Sequence, residues 1–135
     1  MRYILIFLIV LIAACNSPTP PDQEADGTIR GTILPGTASG NSGSVIVVAN
    51  RNNDPNTIDW QRQRDVLSGF GDYEIEELKE GQYFILVHLD ADRDGERDAG
   101  EYWGGYDGNG DNRLDAVRLV GGETITVDAT FFNQF

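Results

Sequence analysis

From Gly27 onward apolar and polar residues alternate with a period of two, and no long stretch repeats every 3.6 residues. That pattern belongs to strands with one buried face, not to amphipathic helices. In Gly27–Leu34, Ile29 and Ile33 share one face while Arg30 and Thr32 take the other. Ser44–Asn50 is rich in β-branched residues and apolar on both faces, as a central strand requires. Tyr73 and Ile75 alternate with Glu74 and Glu76, and Gln82–Leu89 is the strongest strand of the chain. Leu114–Val120 and Glu123–Phe132 are predicted to pair as a hairpin around Gly121 and Gly122, with Ile125, Val127, Ala129 and Phe131 facing inward. Between Arg51 and Gly71 the alternation fades. Asn52-Asn53-Asp54-Pro55 is turn chemistry, and the segment is expected to be irregular with one edge strand. Sixteen glycines separate these runs. The sum is an all-β domain, about seven short strands in a single antiparallel sandwich.

The first residues obey a different pattern. Met1-Arg2-Tyr3 precedes an apolar run from Ile4 to Ile12, followed by Ala13, Ala14 and Cys15. This is the layout of a signal peptide over residues 1–14. The apolar run is too short for a helix across a hydrocarbon core, which takes about 20 residues. Ile12-Ala13-Ala14-Cys15 resembles the bacterial lipobox, in which two small residues precede the cysteine that is lipidated before cleavage. The resemblance implies a lipoprotein whose Cys15 carries palmitate-type acyl chains, each buried methylene contributing about 0.8 kcal/mol of anchoring. Residues 15–26 then read as the lipidated cysteine and a proline-rich, extended tether. Gly27 to Phe135 has the usual length of one domain. Cys15 is the single cysteine, so the domain has no internal disulfide and draws its stability from its core or from a bound ion.

Charge narrows the partners. Ten basic residues face 22 acidic ones, a net charge of −12. Phosphate backbones repel such a chain, which argues against nucleic acid. The acid is concentrated: Asp90 to Asp115 holds nine carboxylates and three arginines, a density that calls for a divalent cation.

The sharpest constellation follows the strongest strand. In Asp90-Ala91-Asp92-Arg93-Asp94-Gly95-Glu96-Arg97-Asp98-Ala99-Gly100-Glu101, acids occupy positions 1, 3, 5, 9 and 12, with glycine at 6. This is the spacing of an EF-hand calcium loop. Alternate residues of a tight loop point inward, Gly95 permits the bend, Glu96 offers its backbone carbonyl, and Glu101 closes the shell with two oxygens. Asp98 acts directly or through water. Position 8, usually aliphatic, is Arg97, and a strand precedes the loop instead of a helix. The ion is therefore expected to be structural, since the helices that open in a calcium sensor are missing. A second segment repeats part of the pattern: Asp107, Asn109, Asp111, the Arg113 backbone carbonyl and Asp115 fall at positions 1, 3, 5, 7 and 9. Asn112 stands at position 6, Leu114 at 8, and Arg118 at 12 removes the bidentate closure. These residues hold a second ion, complete the first site, or form a turn.

Asp72-Tyr73-Glu74-Ile75-Glu76-Glu77-Leu78-Lys79-Glu80-Gly81-Gln82-Tyr83 resembles the signature of carboxypeptidase regulatory-like, or transthyretin-like, domains, and Gly27–Ile33 resembles their first strand. The resemblance implies an Ig-like, prealbumin-like sandwich, with both tyrosines and Leu78 packed between sheets and Gly81 turning one strand into the next. Members are often accessory or binding modules and seldom catalytic.

Catalytic chemistry is thin. His88 is the single histidine and is expected to be structural. No serine or cysteine has a histidine partner in a recognisable motif, and HExxH is missing. The chain thus reads as an exported, lipid-anchored, calcium-stabilised module of the cell envelope that is not an enzyme. One alternative is carbohydrate binding through Tyr102, Trp103 and Tyr106, with Trp60 as a further exposed aromatic; its partner would be a glycan, in place of an envelope protein. A calcium-assisted hydrolase using the loop carboxylates is the other.

Overall fold

Two largely apolar runs, Ser44–Asn50 and Gly81–Asp90, make the centre of the structure, a computed structural model that describes residues 25–135. The expected signal peptide, the lipobox-like segment with Cys15 and most of the expected tether lie outside the described residues. The strands in chain order are β1 (Gly27–Leu34), β2 (Ser44–Asn50), β3 (Arg64–Leu67), β4 (Gly71–Leu78), β5 (Gly81–Asp90), β6 (Tyr102–Gly105), β7 (Ala116–Leu119), β8 (Thr124–Thr126) and β9 (Ala129–Gln134), with one 3-10 turn at Gly36–Ala38. The described residues are all-β, as expected. They form one continuous curled sheet in the order β3-β2-β5-β6-β9-β1-β4.

Two strands inside this sheet, β5 and β1, each share one side between two short partners. β6 pairs with the Leu86–Leu89 half of β5 and β7 with the Gly81–Phe84 half. Likewise β8 and β9 pair in turn with the two halves of β1, both in parallel. The expected hairpin around Gly121 and Gly122 is corrected here. A turn does form there, with the Glu123 N–H donating to the Val120 carbonyl at 3.2 Å, but it carries the chain from β5 across to β1. Leu119 and Val127, on either side of it, both end in the interior, which a flat hairpin could not achieve. The parallel pairings of β1 are also a departure from the purely antiparallel arrangement that the alternation suggested.

The curl encloses the main core: Ile29 and Ile33 of β1, Val45, Val47 and Ala49 of β2, Tyr73, Ile75 and Leu78 of β4, Tyr83, Ile85, Val87 and Leu89 of β5, and Val127, Ala129 and Phe131 near the end. Strand alternation sends the other residues of β2 and β5 outward. Ile46, Val48 and Leu86 join Trp60 in a second, outer cluster, flanked by Ile58, Phe84, Leu114 and Phe135. The irregular segment after β2 therefore has a purpose: it folds back and covers the outer face of the sheet. Trp60 is only 8% exposed and its Nε1–H donates to the Pro55 carbonyl at 3.0 Å. The alternative that made Trp60 an exposed aromatic does not hold, because two doubly apolar strands need a cover on each side.

The curl ends at a seam between β3 and β4. Asp65 Oδ2 accepts the Glu74 N–H there at 3.0 Å, so a side chain takes the place of a ladder bond.

Candidate metal centre

Asp90 ends β5, Tyr102 begins β6, and Leu89 pairs with Tyr102, so the segment Asp90–Glu101 connects two adjacent antiparallel strands. Its backbone is shaped by its own carboxylates. Asp90 Oδ2 accepts the Gly95 N–H at 2.8 Å, Asp92 Oδ1 accepts that of Asp94 at 3.2 Å, and Asp94 Oδ1 accepts that of Glu96 at 2.8 Å. Gly95 takes a left-handed φ of 81°, available to glycine without steric cost. These bends bring side chains together. Carboxylate oxygens of Asp90, Asp92 and Asp94 lie within 4.8 Å of one another, and so do those of Asp92, Asp98 and Glu101. That span is about the diameter of a shell with oxygens 2.3–2.6 Å from a calcium ion. Of the six acids in the loop, Glu96 alone stays out of both groups, consistent with a contribution through its carbonyl.

Asp92, Asp94 and Asp98 are exposed, but burial of the two end residues separates this cluster from an ordinary acidic loop. Asp90 is 2% exposed and Glu101 7%. Glu101 is held on three sides: Oε1 accepts the Ala91 N–H at 2.8 Å, and Oε2 accepts the Asp98 N–H at 3.0 Å and meets His88 Nε2 at 2.6 Å. An ionised carboxylate only accepts, so Nε2 donates. Asp90 Oδ1 is buried and has no hydrogen-bond partner. Leaving such an oxygen unsatisfied costs about 1–3 kcal/mol, more when it is charged, and a cation removes that cost. Asp92 accepts the Asp94 N–H, which favours its charged form; desolvation, the Asp94 charge and the nearness of the Asp90 and Asp94 carboxyls outweigh that bond and raise its pKa above the ordinary carboxylate value. Crowded like charges resist ionising together.

The second loop copies the first in backbone. Asp107 Oδ2 accepts the Asn112 N–H at 2.7 Å, Asn109 Oδ1 that of Asp111 at 3.0 Å, and Asp111 Oδ1 that of Arg113 at 3.0 Å. These are the same 1–6, 3–5 and 5–7 bonds. Positions 4 and 6 have positive φ in both loops: Arg93 at 63° and Gly95 at 81°, Gly110 at 77° and Asn112 at 61°. The difference lies at position 1. Asp107 Oδ1 also accepts the N–H groups of Gly110, Asn109 and Asp111 at 2.7, 3.3 and 3.2 Å. Desolvation works to raise the Asp107 pKa, but these four backbone donors prevail and lower it. Asp115 Oδ2 is taken by the Gly108 N–H at 2.8 Å. Backbone donors thus satisfy Asp107 and Asp115, and among the described residues the loop's carboxylates do not converge as those of the first loop do. It is an excursion from the sheet edge, closed where the Asp115 N–H donates to the Tyr106 carbonyl at 2.9 Å.

The aromatics proposed for sugar stacking do not share a face. Tyr102 and Tyr106 pack against the main core. Trp103, on the other side of β6, meets Phe132 and Phe135 at ring distances of 5.6 and 6.0 Å. His88 is buried between Trp60 and Phe135, with ring centroids 5.7 and 5.5 Å away. Its contact with Glu101 escaped the sequence reading, although alternation along β5 puts His88 and Asp90 on one face and so aims both at the loop.

Comparison with family models, with curated proteins and with solved structures finds no match.

Proposed function

We propose that this chain is a calcium-stabilised, non-catalytic module of the cell envelope, tethered through lipid on Cys15, with one ion in the Asp90–Glu101 loop. The single observation that carries the ion is Asp90 Oδ1, a buried carboxylate oxygen without a partner inside a converging set of acids. Calcium is preferred to magnesium because the set offers many carboxylates, whereas magnesium favours few protein ligands and strict octahedral geometry. A non-catalytic role fits a loop whose glutamate is engaged by His88 and two backbone donors. Support for the transthyretin-like reading comes from the buried Tyr73, Leu78 and Tyr83 of its signature and from Gly81, where β5 starts.

Calorimetric titration of the purified protein tests the ion. One calcium is expected to bind with a Kd of about 10⁻⁴ to 10⁻³ M, the range of extracellular modules, and to raise the melting temperature. Absence of both effects, unchanged in Asp90→Ala with Glu101→Ala, would sink the reading. Fractionation tests the tether: Cys15→Ser should move the protein from the membrane to the soluble fraction.

A further inference from the structure

We infer that filling the Asp90–Glu101 loop latches residues 52–62 and Phe135 onto the outer face of the sheet, with the His88–Glu101 pair as the coupling element. The inference rests on the calcium reading of the same loop and extends it to a consequence for the rest of the molecule.

The outer cover is fastened to this loop at Pro55 and at the C-terminal Gln134 and Phe135. The Phe135 N–H donates to the Glu101 carbonyl at 2.9 Å, and the Gly100 N–H donates to the Phe135 carbonyl at 3.0 Å. Gln134 Nε2 donates to the Gly100 carbonyl at 3.2 Å. Arg97 donates through its guanidinium to the Pro55 carbonyl, the same oxygen that receives the Trp60 indole, and its charge lies 5.1 Å from the centre of the Phe135 ring. His88 fills the space between Trp60 and Phe135 and fixes the Glu101 carboxylate from beneath. Trp60 and Phe135 also touch each other edge to face at 6.4 Å.

The segment is tied to the sheet at its two ends, where the Arg51 guanidinium donates to the Lys79, Glu80 and Gln82 carbonyls and the Gln63 carbonyl accepts the Ala49 N–H. Between those ends residues 52–62 contain no strand, and their own bonds include short local ones such as Asn52 N–H to Asn50 Oδ1 and Asn56 N–H to Asp54 Oδ1. Without a cation the converging carboxylates repel, and the loop that supplies Arg97, Gly100 and Glu101 loses its fixed shape. The cover then detaches from Ile46, Val48 and Leu86 beneath it. Linkage requires the reverse as well: whatever loosens the cover weakens the ion by the same factor.

The test uses the full chain with Trp103→Phe, so that Trp60 is the single tryptophan. Calcium added to chelated protein should shift Trp60 emission to the blue and reduce its quenching by acrylamide, with the same midpoint as the binding heat. In the otherwise unaltered chain, Trp60→Ala touches no acid of the loop, yet should weaken calcium at least about fivefold, the lower end of ordinary coupling. His88→Phe keeps a ring between Trp60 and Phe135 but loses the donor, and should weaken calcium about 10- to 100-fold. His88→Gln, which restores an N–H, should recover part of that loss. If calcium binds while Trp60 emission and quenching stay fixed, or if Trp60→Ala binds calcium as the parent does, the latch is refuted and the calcium site stands. No binding heat at all refutes both. Should His88→Phe fail to fold, Arg97→Ala decides: the latch predicts that calcium no longer protects Trp60 fully, and full protection refutes it.

Discussion

Asp90 and Asp107 occupy the same place in two loops with the same backbone, and their surroundings oppose each other. Asp107 spends both oxygens on four N–H donors, while Asp90 has one oxygen satisfied by Gly95 and one bare and buried. Asp90→Asn should therefore act with opposite sign in two conditions. In chelated protein it relieves a buried charge and should raise stability by about 1 kcal/mol or more; with calcium it removes a charged ligand and should weaken the ion on the order of tenfold. Calorimetry with and without calcium reads both. Asp107→Asn should lower the melting temperature equally in both conditions. The Asp107 pKa is depressed in the fold, so its contribution is complete above the ordinary value of 3.8 and is lost as pH falls toward the folded-state value. The gap between this variant and its parent should close in acid. Tyr73 behaves in the other direction. Burial first, and then the Asp128 charge, push its phenol upward, and its O–H donates to the Val127 carbonyl at 2.6 Å. The folded state keeps that proton longer than the unfolded chain does. The stability it supplies is complete below the ordinary value of 10.0 and declines as pH rises beyond it. Tyr73→Phe should cost about 1 kcal/mol near neutrality, and urea midpoints of variant and parent should converge above pH 10.

At the scale of elements, alternation in β2 and β5 was fully legible, since a strand apolar on both faces has to be covered twice. What covers it was not legible. Trp60 stands in a segment with turn chemistry and no periodicity, and its burial follows from contacts with Ile46, Val48 and Leu86, distant in sequence. The glycine pair after Trp103 is a similar case. A Cβ on Gly104 would lie 2.1 Å from the Thr130 carbonyl oxygen and 2.8 Å from the Phe131 Cα, both backbone atoms of β9. Gly104→Ala therefore has no side chain to push aside. It should separate β6 from β9 and cost about 3 kcal/mol or more, the upper range for point changes, measured by denaturant unfolding. The spacing of acids in the two loops was readable from the sequence, but the backbone bonds they share were not; the hairpin at Gly121 and Gly122 was misread, because a turn motif specifies a reversal of direction and leaves open which strand lies beyond it.

For the molecule as a whole, curling is what gives the loop its depth. The sheet bends until β3 faces β4, and Asp65 bridges the seam to the Glu74 N–H. Asp65→Ala should leave the Asp90–Glu101 loop intact and release this edge, seen as faster hydrogen exchange at the Glu74 amide with exchange at the core amides of β5 unchanged. A slower or unaltered Glu74 amide would show that the seam is held by packing alone. The Asp90–Glu101 loop, in turn, leaves the end of β5, where one connection joins the interior face to the outer cover.

The sequence by itself determined the all-β class, the two-faced strands and the spacing of carboxylates in both acidic loops, because period, turn chemistry and ligand spacing are local properties that a few neighbouring residues specify. It also carries the signal-peptide pattern and Cys15. Only the tertiary structure decided that β7 and β8 part company, that Trp60 is interior, and that one loop leaves a buried oxygen bare while its twin does not. Those outcomes depend on which distant groups reach a given atom once the sheet curls, and burial of that kind is a property of the whole fold.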